Sequence, residues 1–374
     1  MSAEPAFIRK AQEIWAKPWV RHGLTAAFFL LVAGLLLQQA RTIEWSEVVA
    51  AIQGYDERTL AMAAGLSVLS YLVYSWYDLL GRHYIQSTLS PASMMATAFM
   101  AYAFNQSLGA LIGTVGFRAR LYSRHGLHAI QISKIIAISV VTNWLGYMTV
   151  AGAIFVSGKL VLPQGWDVER SVLQVIGGVM LAITASYLVL CAVSREREVS
   201  VKGHPFKIPS FSLALLQLLF SMLHWPLAAA IVYLLLEGRI EYVTVLGALM
   251  MTAVAVVLTH IPAGIGVLEA ILLGLLRDRM PAAEILAALL VFRAVYYLAP
   301  LLVATAMYLK VEATAKHSDA DPKETDPPGK GSKGEDSQEK NNKQKVSART
   351  DNVSLGKPTV GGKQQAHASF KPSR

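Results

Sequence analysis

Long apolar runs separated by short polar links recur along most of this chain of 374 residues. A water-soluble domain could not bury so many continuous apolar segments in one core. The pattern therefore predicts an all-α, polytopic membrane helix bundle, and it excludes a soluble enzyme, a secreted disulfide scaffold and a nucleic-acid-binding module. Six runs are long enough to cross about 30 Å of hydrocarbon: residues 20–38, 59–77, 132–157, 172–193, 211–236 and 282–309.

Two further apolar stretches, 92–116 and 243–276, are interrupted by residues that break a membrane helix. An interrupted helix leaves main-chain groups unpaired, which is tolerated only beside protein or a watery cavity. We therefore expect about eight membrane elements, namely six full spans plus two broken or re-entrant hairpins that enter from opposite faces. The interrupting residues are Asn105, Gln106, Gly109, Gly113 and Gly116 in the first stretch, and Thr259, His260, Pro262, Gly264 and Gly266 in the second.

The charges of the links predict which side each one occupies. Segment 1–19, link 78–91 and segment 117–134 are basic, and basic links remain in the cytoplasm. The first hairpin then has both ends in the cytoplasm, and both termini are expected there too. In the alternative arrangement, residues 243–260 cross fully and the C-terminal tail lies outside.

The C-terminal segment 310–374 differs sharply from the membrane domain expected over residues 20–309. It carries 13 of the 34 Lys and Arg and 9 of the 25 Asp and Glu. Such a composition predicts a disordered, Lys-rich tail. A plain solvated extension is the simpler interpretation, and loose attachment to an anionic leaflet is the alternative.

Two charged residues are expected at membrane depth. Arg293 lies well inside the last apolar run, where an unpaired arginine costs at least about 2.5 kcal/mol. Glu269 begins the helix that follows the second break, so it is the expected partner. The pair is either a structural tie or part of a lipid-headgroup site. His260 borders the same break and is expected to line a cavity, whereas His224 is interpreted as a packed histidine, with a proton relay as the alternative.

A basic cluster follows the glycine-rich turn that contains Gly113 and Gly116. Its arginines, Arg118, Arg120 and Arg124, could form a phosphate cradle with free main-chain N–H groups. The alternative is that they only orient the protein at the cytoplasmic interface and contact anionic lipids.

Asp78 ends the second apolar run, within the aromatic segment SYLVYSWYDLLGRHY. Most of this segment is interpreted as an aromatic belt at the membrane surface. Asp78 is a candidate residue of the lipid-headgroup pathway, and the simpler interpretation is that it only pairs with Arg82, four residues further along the helix.

Several sequence motifs are missing from the chain. There is no GxxxxGK[ST], HExxH or GxSxG sequence, which argues against ATP-driven transport by this chain alone and against a hydrolase. Cys191 is the single cysteine, so neither an intrachain disulfide nor a cysteine metal cluster is expected. No cofactor is predicted.

Four ordered segments resemble the lysylphosphatidylglycerol synthase transmembrane-region family: GTVGFRARLYSRHGL, TNWLGY, IPAGIGVLEAILLGLL and VFRAVYYLAPLL. The resemblance covers about residues 20–310 and is closest to stand-alone YbhN-type proteins of the bacterial inner membrane. The family's motifs fall on Gly113, Gly116, Arg118, Arg120, Pro262, Gly264, Gly266, Glu269, Arg293, Tyr296, Tyr297 and Pro300. Ala263 and Thr114 depart from the family's usual glycines.

This resemblance implies an inner-membrane protein that binds anionic phospholipid headgroups, such as those of phosphatidylglycerol, and translocates them between leaflets. The alternative is a non-transporting membrane partner that binds phospholipid and assists a lipid-synthesising enzyme. Phospholipid, and in the second case such an enzyme, are the expected partners. Larger family members carry a soluble aminoacyl-transferase domain that this chain lacks, so enzymatic activity is not expected.

Overall fold

The computed structural model describes residues 45–160, 169–194, 198–201, 204–259, 264 and 266–320, with four isolated positions before residue 45. The first expected span, the N-terminal segment and most of the tail lie outside the described residues. The chain divides into a unit Met1–Lys316 and a unit His317–Arg374. Only the start of the second unit is described, as the end of a helix.

Eleven α-helices and two π-helical segments are present among the described residues. The α-helices are α1 (Trp45–Gln53), α2 (Glu57–Tyr84), α3 (Pro91–Leu108), α4 (Arg118–Arg124), α5 (Ala129–Ser157), α6 (Arg170–Val193), α7 (Phe211–Leu235), α8 (Tyr242–Thr259), α9 (Val267–Leu276), α10 (Ala282–Arg293) and α11 (Ala299–Ala320). A π segment, Leu111–Phe117, precedes α4, and a π turn, Ala294–Leu298, joins α10 to α11.

Five described helical stretches are long and apolar enough to cross a membrane. They agree with five of the six predicted spans and establish the helical membrane class. The stretches are Glu57–Tyr84, Ala129–Ser157, Arg170–Val193, Phe211–Leu235 and Ala282–Thr314, and the shorter apolar helices Tyr242–Leu258 and Val267–Leu276 accompany them.

The first interrupted stretch folds as a helical hairpin. Helix α3 begins with Ser90 as its cap and ends at Gly109, whose φ of +87° suits a residue without Cβ. The chain then turns back, and the Phe117 ring stacks on the Phe104 ring with centroids 3.8 Å apart. A Cβ on Gly113 would lie 2.1 Å from the main-chain nitrogen of Asn105. Gly113 is therefore required for close packing within the hairpin.

The second interrupted stretch also brings two helices together, because α8 and α9 pack against each other around the break. Gly264 and Gly266 both have positive φ, +57° and +82°. These values favour glycine at both positions. His260 and Pro262, which were predicted to shape this break, lie outside the described residues.

Helix α6 packs on α5 through small residues and presents an apolar outer surface. A Cβ on Gly177 would approach the Gly152 carbonyl oxygen to 2.7 Å, so the two helices are in close contact. On its other face, Val175, Val179 and Val189 are each more than half exposed. Such a surface is suited to lipid rather than to water.

The link between α6 and α7 contains a two-stranded antiparallel hairpin, β1 (Glu198–Val201) and β2 (His204–Lys207). Glu198 lies opposite Lys207 in the register. The Tyr84 hydroxyl donates to the Lys207 carbonyl at 2.6 Å. The hairpin thus closes over the end of α2.

Candidate functional site

Arg293 and Glu269 form the ion pair that the sequence predicted. The Arg293 Nε donates to Glu269 Oε1 at 2.6 Å, and its Nη2 donates to Oε2 at 2.9 Å. Arg293 Nη2 also donates to the Gly264 carbonyl at 3.2 Å, and Glu269 accepts from the Gly266 N–H at 3.0 Å. The two side chains are 17% and 22% exposed. The pair therefore joins the second break to the end of α10 without being sealed from its surroundings.

The π turn directly after Arg293 follows from the position of Pro300. The Ala299 N–H bonds the Ala294 carbonyl, one residue beyond the usual helical partner, and Pro300 has no N–H to donate. Pro300 therefore cannot donate to the carbonyls of Val295 and Tyr296, one turn before it. They accept hydrogen bonds from α2, one from the Ser67 hydroxyl at 3.1 Å and one from the Tyr71 hydroxyl at 3.0 Å.

Next to this turn, four side chains form a closed cycle of hydrogen bonds, here called the His224 cycle: Ser70, Tyr102, His224 and Tyr296. The Ser70 hydroxyl is 3.1 Å from His224 Nδ1, and the Tyr102 hydroxyl is 2.9 Å from His224 Nε2. The Tyr296 hydroxyl closes the cycle, at 3.1 Å from Ser70 Oγ and 3.2 Å from the Tyr102 hydroxyl. All four residues are buried. His224 is thus packed and hydrogen-bonded, as its simpler interpretation predicted.

A cavity of about 290 Å³ lies where the two breaks, α5, α7 and the π turn meet. Gly109 borders it from the first hairpin and Gly264 from the second, so both interruptions found in the sequence open onto one space. The volume is close to the lower limit of small-ligand pockets, about 300 Å³. The hydroxyl, amide and imidazole side chains of its lining belong to Tyr102, Asn105, Gln106, Asn143, Tyr147, His224, Thr252, Tyr296 and Tyr297.

Arg118 is not at the membrane surface but inside the bundle, paired with Asp78. Both side chains are fully buried. Arg118 Nε donates to Asp78 Oδ2 at 2.9 Å and its Nη2 donates to Oδ1 at 3.0 Å, while the Tyr122 hydroxyl donates to Oδ2 at 2.6 Å. The predicted Asp78–Arg82 pair is wrong, since Arg82 instead donates to the Leu89 carbonyl. Arg118 is therefore already engaged by a carboxylate.

The aromatic segment before Asp78 is also placed differently from the prediction. Tyr71, Tyr74 and Tyr77 are 2%, 5% and 0% exposed, so they belong to the core rather than to a belt at the membrane surface. Trp76 is 42% exposed and points outward. The alternation arises because α2 buries one face against α3, α5 and α7.

The other two arginines of the basic cluster share one acidic partner on α11. Arg120 and Arg124 donate to Glu312 Oε1 at 3.0 and 2.7 Å. Their side chains are 17% and 30% exposed. Gly116 lies in the π segment that supports these arginines. The structure thus separates the cluster from the central cavity, to which none of its arginines contributes lining.

Sequence reasoning missed Ser70, Tyr102 and Asn143 as site residues. Each is a common polar residue within an apolar helix, and only contact with the cavity or with His224 distinguishes it. A usable signal did exist for Asp78 and Arg118, because both are charges next to long apolar runs. For Asp78, however, the sequence indicated a partner on the same helix rather than a partner on another element.

The fold and site together define a multi-pass helical membrane protein with polar side chains around a central cavity. The chain belongs to the family described as the lysylphosphatidylglycerol synthase TM region, whose model matches residues 24–304. It is 43% identical to the inner membrane protein YbhN of Escherichia coli (strain K12), over 78% of this chain and 92% of that protein.

Two further relatives extend the range of similarity. A protein of Synechocystis sp., slr0712, is 31% identical over 74% of this chain and 86% of its own length. The phosphatidylglycerol lysyltransferase of Staphylococcus haemolyticus is 23% identical over 75% of this chain. Only 32% of that lysyltransferase is matched. The similarity therefore concerns one part of that larger protein.

Proposed function

We propose that this chain is an inner-membrane protein that binds anionic phospholipid headgroups, of the phosphatidylglycerol type, and moves them between leaflets. The observation that carries the proposal is the convergence of both helix breaks on one cavity, which has polar side chains in its lining and lies beside the Arg293–Glu269 pair. Charged and polar groups inside a membrane bundle are costly, and they typically mark the path of a substrate. The proposed location in the inner membrane agrees with the name of the Escherichia coli relative, which is called an inner membrane protein.

Arg293 is the side chain best suited to hold the phosphate. A guanidinium binds carboxylate and phosphate with the same two-pronged geometry, and Glu269 already occupies that position. An arriving phosphate would exchange with Glu269 for the guanidinium, so the charge of Arg293 stays compensated before and after binding. Acyl chains would remain outside, along apolar surfaces such as the outer face of α6.

We propose a transport role without aminoacyl transfer. The similarity to the lysyltransferase covers about a third of that protein, so its activity as a whole does not carry over. Binding without transbilayer movement would instead support the non-transporting partner of a lipid-synthesising enzyme.

The test is a headgroup-accessibility assay in proteoliposomes that contain fluorescent, headgroup-labelled phosphatidylglycerol. A membrane-impermeant reductant reports the label that reaches the outer leaflet. We expect the wild-type protein to accelerate movement above protein-free vesicles, and Arg293→Ala to return it to the protein-free rate. A folded Arg293→Ala protein with wild-type movement would reject the proposal.

Two controls separate headgroup contact from structural support. Exchanging the charges, Glu269→Arg with Arg293→Glu, keeps an ion pair at the break but places a carboxylate where the phosphate should bind. If the pair were only a structural tie, this double variant would move headgroups as the wild type does. We expect instead that the double variant folds as the wild type does but moves no headgroups. Arg239→Ala is the matched control, because Arg239 pairs with Glu284 at a half-exposed site away from the cavity lining.

A further inference from the structure

The number of protons in the His224 cycle matches its number of hydrogen bonds only when His224 is neutral. A neutral imidazole carries one N–H, and the hydroxyls of Ser70, Tyr102 and Tyr296 carry one proton each. These four protons serve the four hydrogen bonds of the cycle, so each member donates once and accepts once. Reversing the direction of all four bonds exchanges the two tautomers of His224. The neutral cycle is therefore fully satisfied in either direction.

A fifth proton cannot be accommodated within the cycle. When His224 is protonated, both ring nitrogens donate, and one hydroxyl of the cycle must turn its proton outward. No member of the cycle has a further side-chain hydrogen-bond partner in the part of the chain that the structure describes. Tyr102, His224 and Tyr296 line the central cavity. An acceptor that enters this space would therefore lie beside both tyrosines of the cycle.

Among the residues that the structure describes, none supplies a compensating charge to His224. Tyr74 and Tyr77 on α2 pack their rings against it, with centroids 5.3 and 6.1 Å away, and Trp225 and Tyr102 are its other ring neighbours. The Asp78–Arg118 pair lies beyond Tyr74, whose ring centroid is 6.0 Å from the Arg118 guanidinium.

On the opposite side, Arg293 faces Tyr297, at 5.7 Å from its ring centroid, and is neutralised by Glu269. None of the four charged side chains hydrogen-bonds to His224. A buried imidazolium without a counter-charge is unfavourable. An anion in the cavity would provide both the missing charge and the missing acceptor.

We propose that the His224 cycle is a proton-linked anion site, which takes up one proton from water when a phosphodiester oxygen enters the cavity and accepts the displaced hydroxyl donor. The inference rests on the proposed headgroup binding and deepens it by naming the proton as the coupled ion. Arg293 would hold the two non-bridging phosphate oxygens, and one of them would also accept the displaced hydroxyl donor of the cycle. Release of the headgroup would return the proton to water.

The linkage is testable on the purified full-length chain in detergent, with phosphatidylglycerol as the probe. Trp144 and Trp225 line the cavity, so tryptophan fluorescence can follow binding. Over the range where His224 is mostly neutral in the free protein, we expect the apparent Kd to rise by up to about tenfold per pH unit. Proton uptake, followed with a pH dye in weak buffer, should approach one proton per lipid bound. Binding without proton uptake would overturn the inference, and this measurement needs no variant.

Variants identify the responsible group. His224→Asn should abolish both the pH dependence and the proton uptake. Tyr77→Phe is the matched control, because the Tyr77 hydroxyl is buried beside His224 but has no hydrogen-bond partner among the described residues. Tyr77→Phe should leave both the pH dependence and the proton uptake unchanged. If the pH dependence persisted in His224→Asn and disappeared in Glu269→Gln, the titrating group would be Glu269 and the inference would be wrong.

The outcomes also separate this inference from the proposed function. Transbilayer movement combined with pH-independent binding would reject the proton linkage and leave the transport role intact. Proton-linked binding without movement would support the site and reject transport. Diacylglycerol, which has no phosphate, should bind without proton uptake in every variant.

Discussion

Two arginine–carboxylate pairs lie within the same bundle, and they differ in how completely the protein encloses them. The Asp78–Arg118 pair is fully buried and receives a further hydrogen bond from Tyr122. The Glu269–Arg293 pair keeps about a fifth of its side-chain surface exposed and lies at a helix break beside the cavity. A sealed pair is suited to fixing the packing of α4 against α2. An accessible pair is suited to exchanging a partner.

The difference teaches that charge at membrane depth does not by itself identify the substrate path. Asp78 and Arg118 satisfy the usual criterion for a functional intramembrane charge, yet the geometry gives them a closed set of partners. Enclosure, rather than depth alone, distinguishes the two roles. The pairs can be compared directly by removing one carboxylate at a time.

The largest effect is expected from Asp78→Asn. It removes the only carboxylate bound to Arg118 among the described residues and leaves a fully buried guanidinium without its counter-charge. Breaking such a pair costs about 3–5 kcal/mol. Thermal unfolding in detergent should record a strongly destabilised or poorly folded protein. Adding Arg118→Met should recover much of the loss, because the uncompensated charge is then gone. A fully stable Asp78→Asn protein would contradict the structural role.

An intermediate effect on stability is expected from Glu269→Gln, at about 1–3 kcal/mol, because hydrogen bonds to a charged group are lost at a partly exposed site. Its effect on function should be larger. Arg293 loses its resident carboxylate, so phosphatidylglycerol should bind more tightly and be released more slowly. Fluorescence titration measures the affinity for phosphatidylglycerol, and the accessibility assay reports slower release as slower headgroup movement. Weaker lipid binding in a folded Glu269→Gln protein would argue against partner exchange.

The smallest effect is expected from Glu312→Gln, which removes the partner shared by Arg120 and Arg124 near the surface. Arg124 is 30% exposed and these pairs hold no helix break in place, so the loss should be about 1 kcal/mol or less. Thermal unfolding should change little, and raising the salt concentration should reduce the difference from the wild type further. A loss as large as that of Asp78→Asn would mean that this cluster belongs with the enclosed pair.

The sequence predicted the Glu269–Arg293 pair but not the Asp78–Arg118 pair, for a geometrical reason. The glycine break places Glu269 at the start of a helix, and the length of the last run places Arg293 at a similar depth. Asp78 had an eligible local partner in Arg82, whereas its real partner is 40 residues away on the far side of a hairpin. How that hairpin packs against α2 cannot be obtained from periodicity.

The same distinction applies to the tyrosines of α2 and to the His224 cycle. Composition predicted that an aromatic segment near a span end forms a belt, whereas the packing of α2 buries Tyr71 and Tyr77. The cycle draws one member from each of α2, α3, α7 and the π turn. No spacing rule relates residues on four separate elements, so the cycle became visible only in the assembled bundle.

The sequence by itself determined the membrane class, five spans that the described residues contain, the two helix breaks and the family. The class, the spans and the breaks follow from local chemistry, namely the length of the apolar runs and the glycine and polar residues that interrupt them, and the family follows from four ordered motifs. Only the tertiary structure decided which arginine is enclosed, which remains accessible, and that both breaks open onto one cavity with His224. Those outcomes depend on the rotation and depth of each helix relative to its neighbours, which many weak packing contacts fix together.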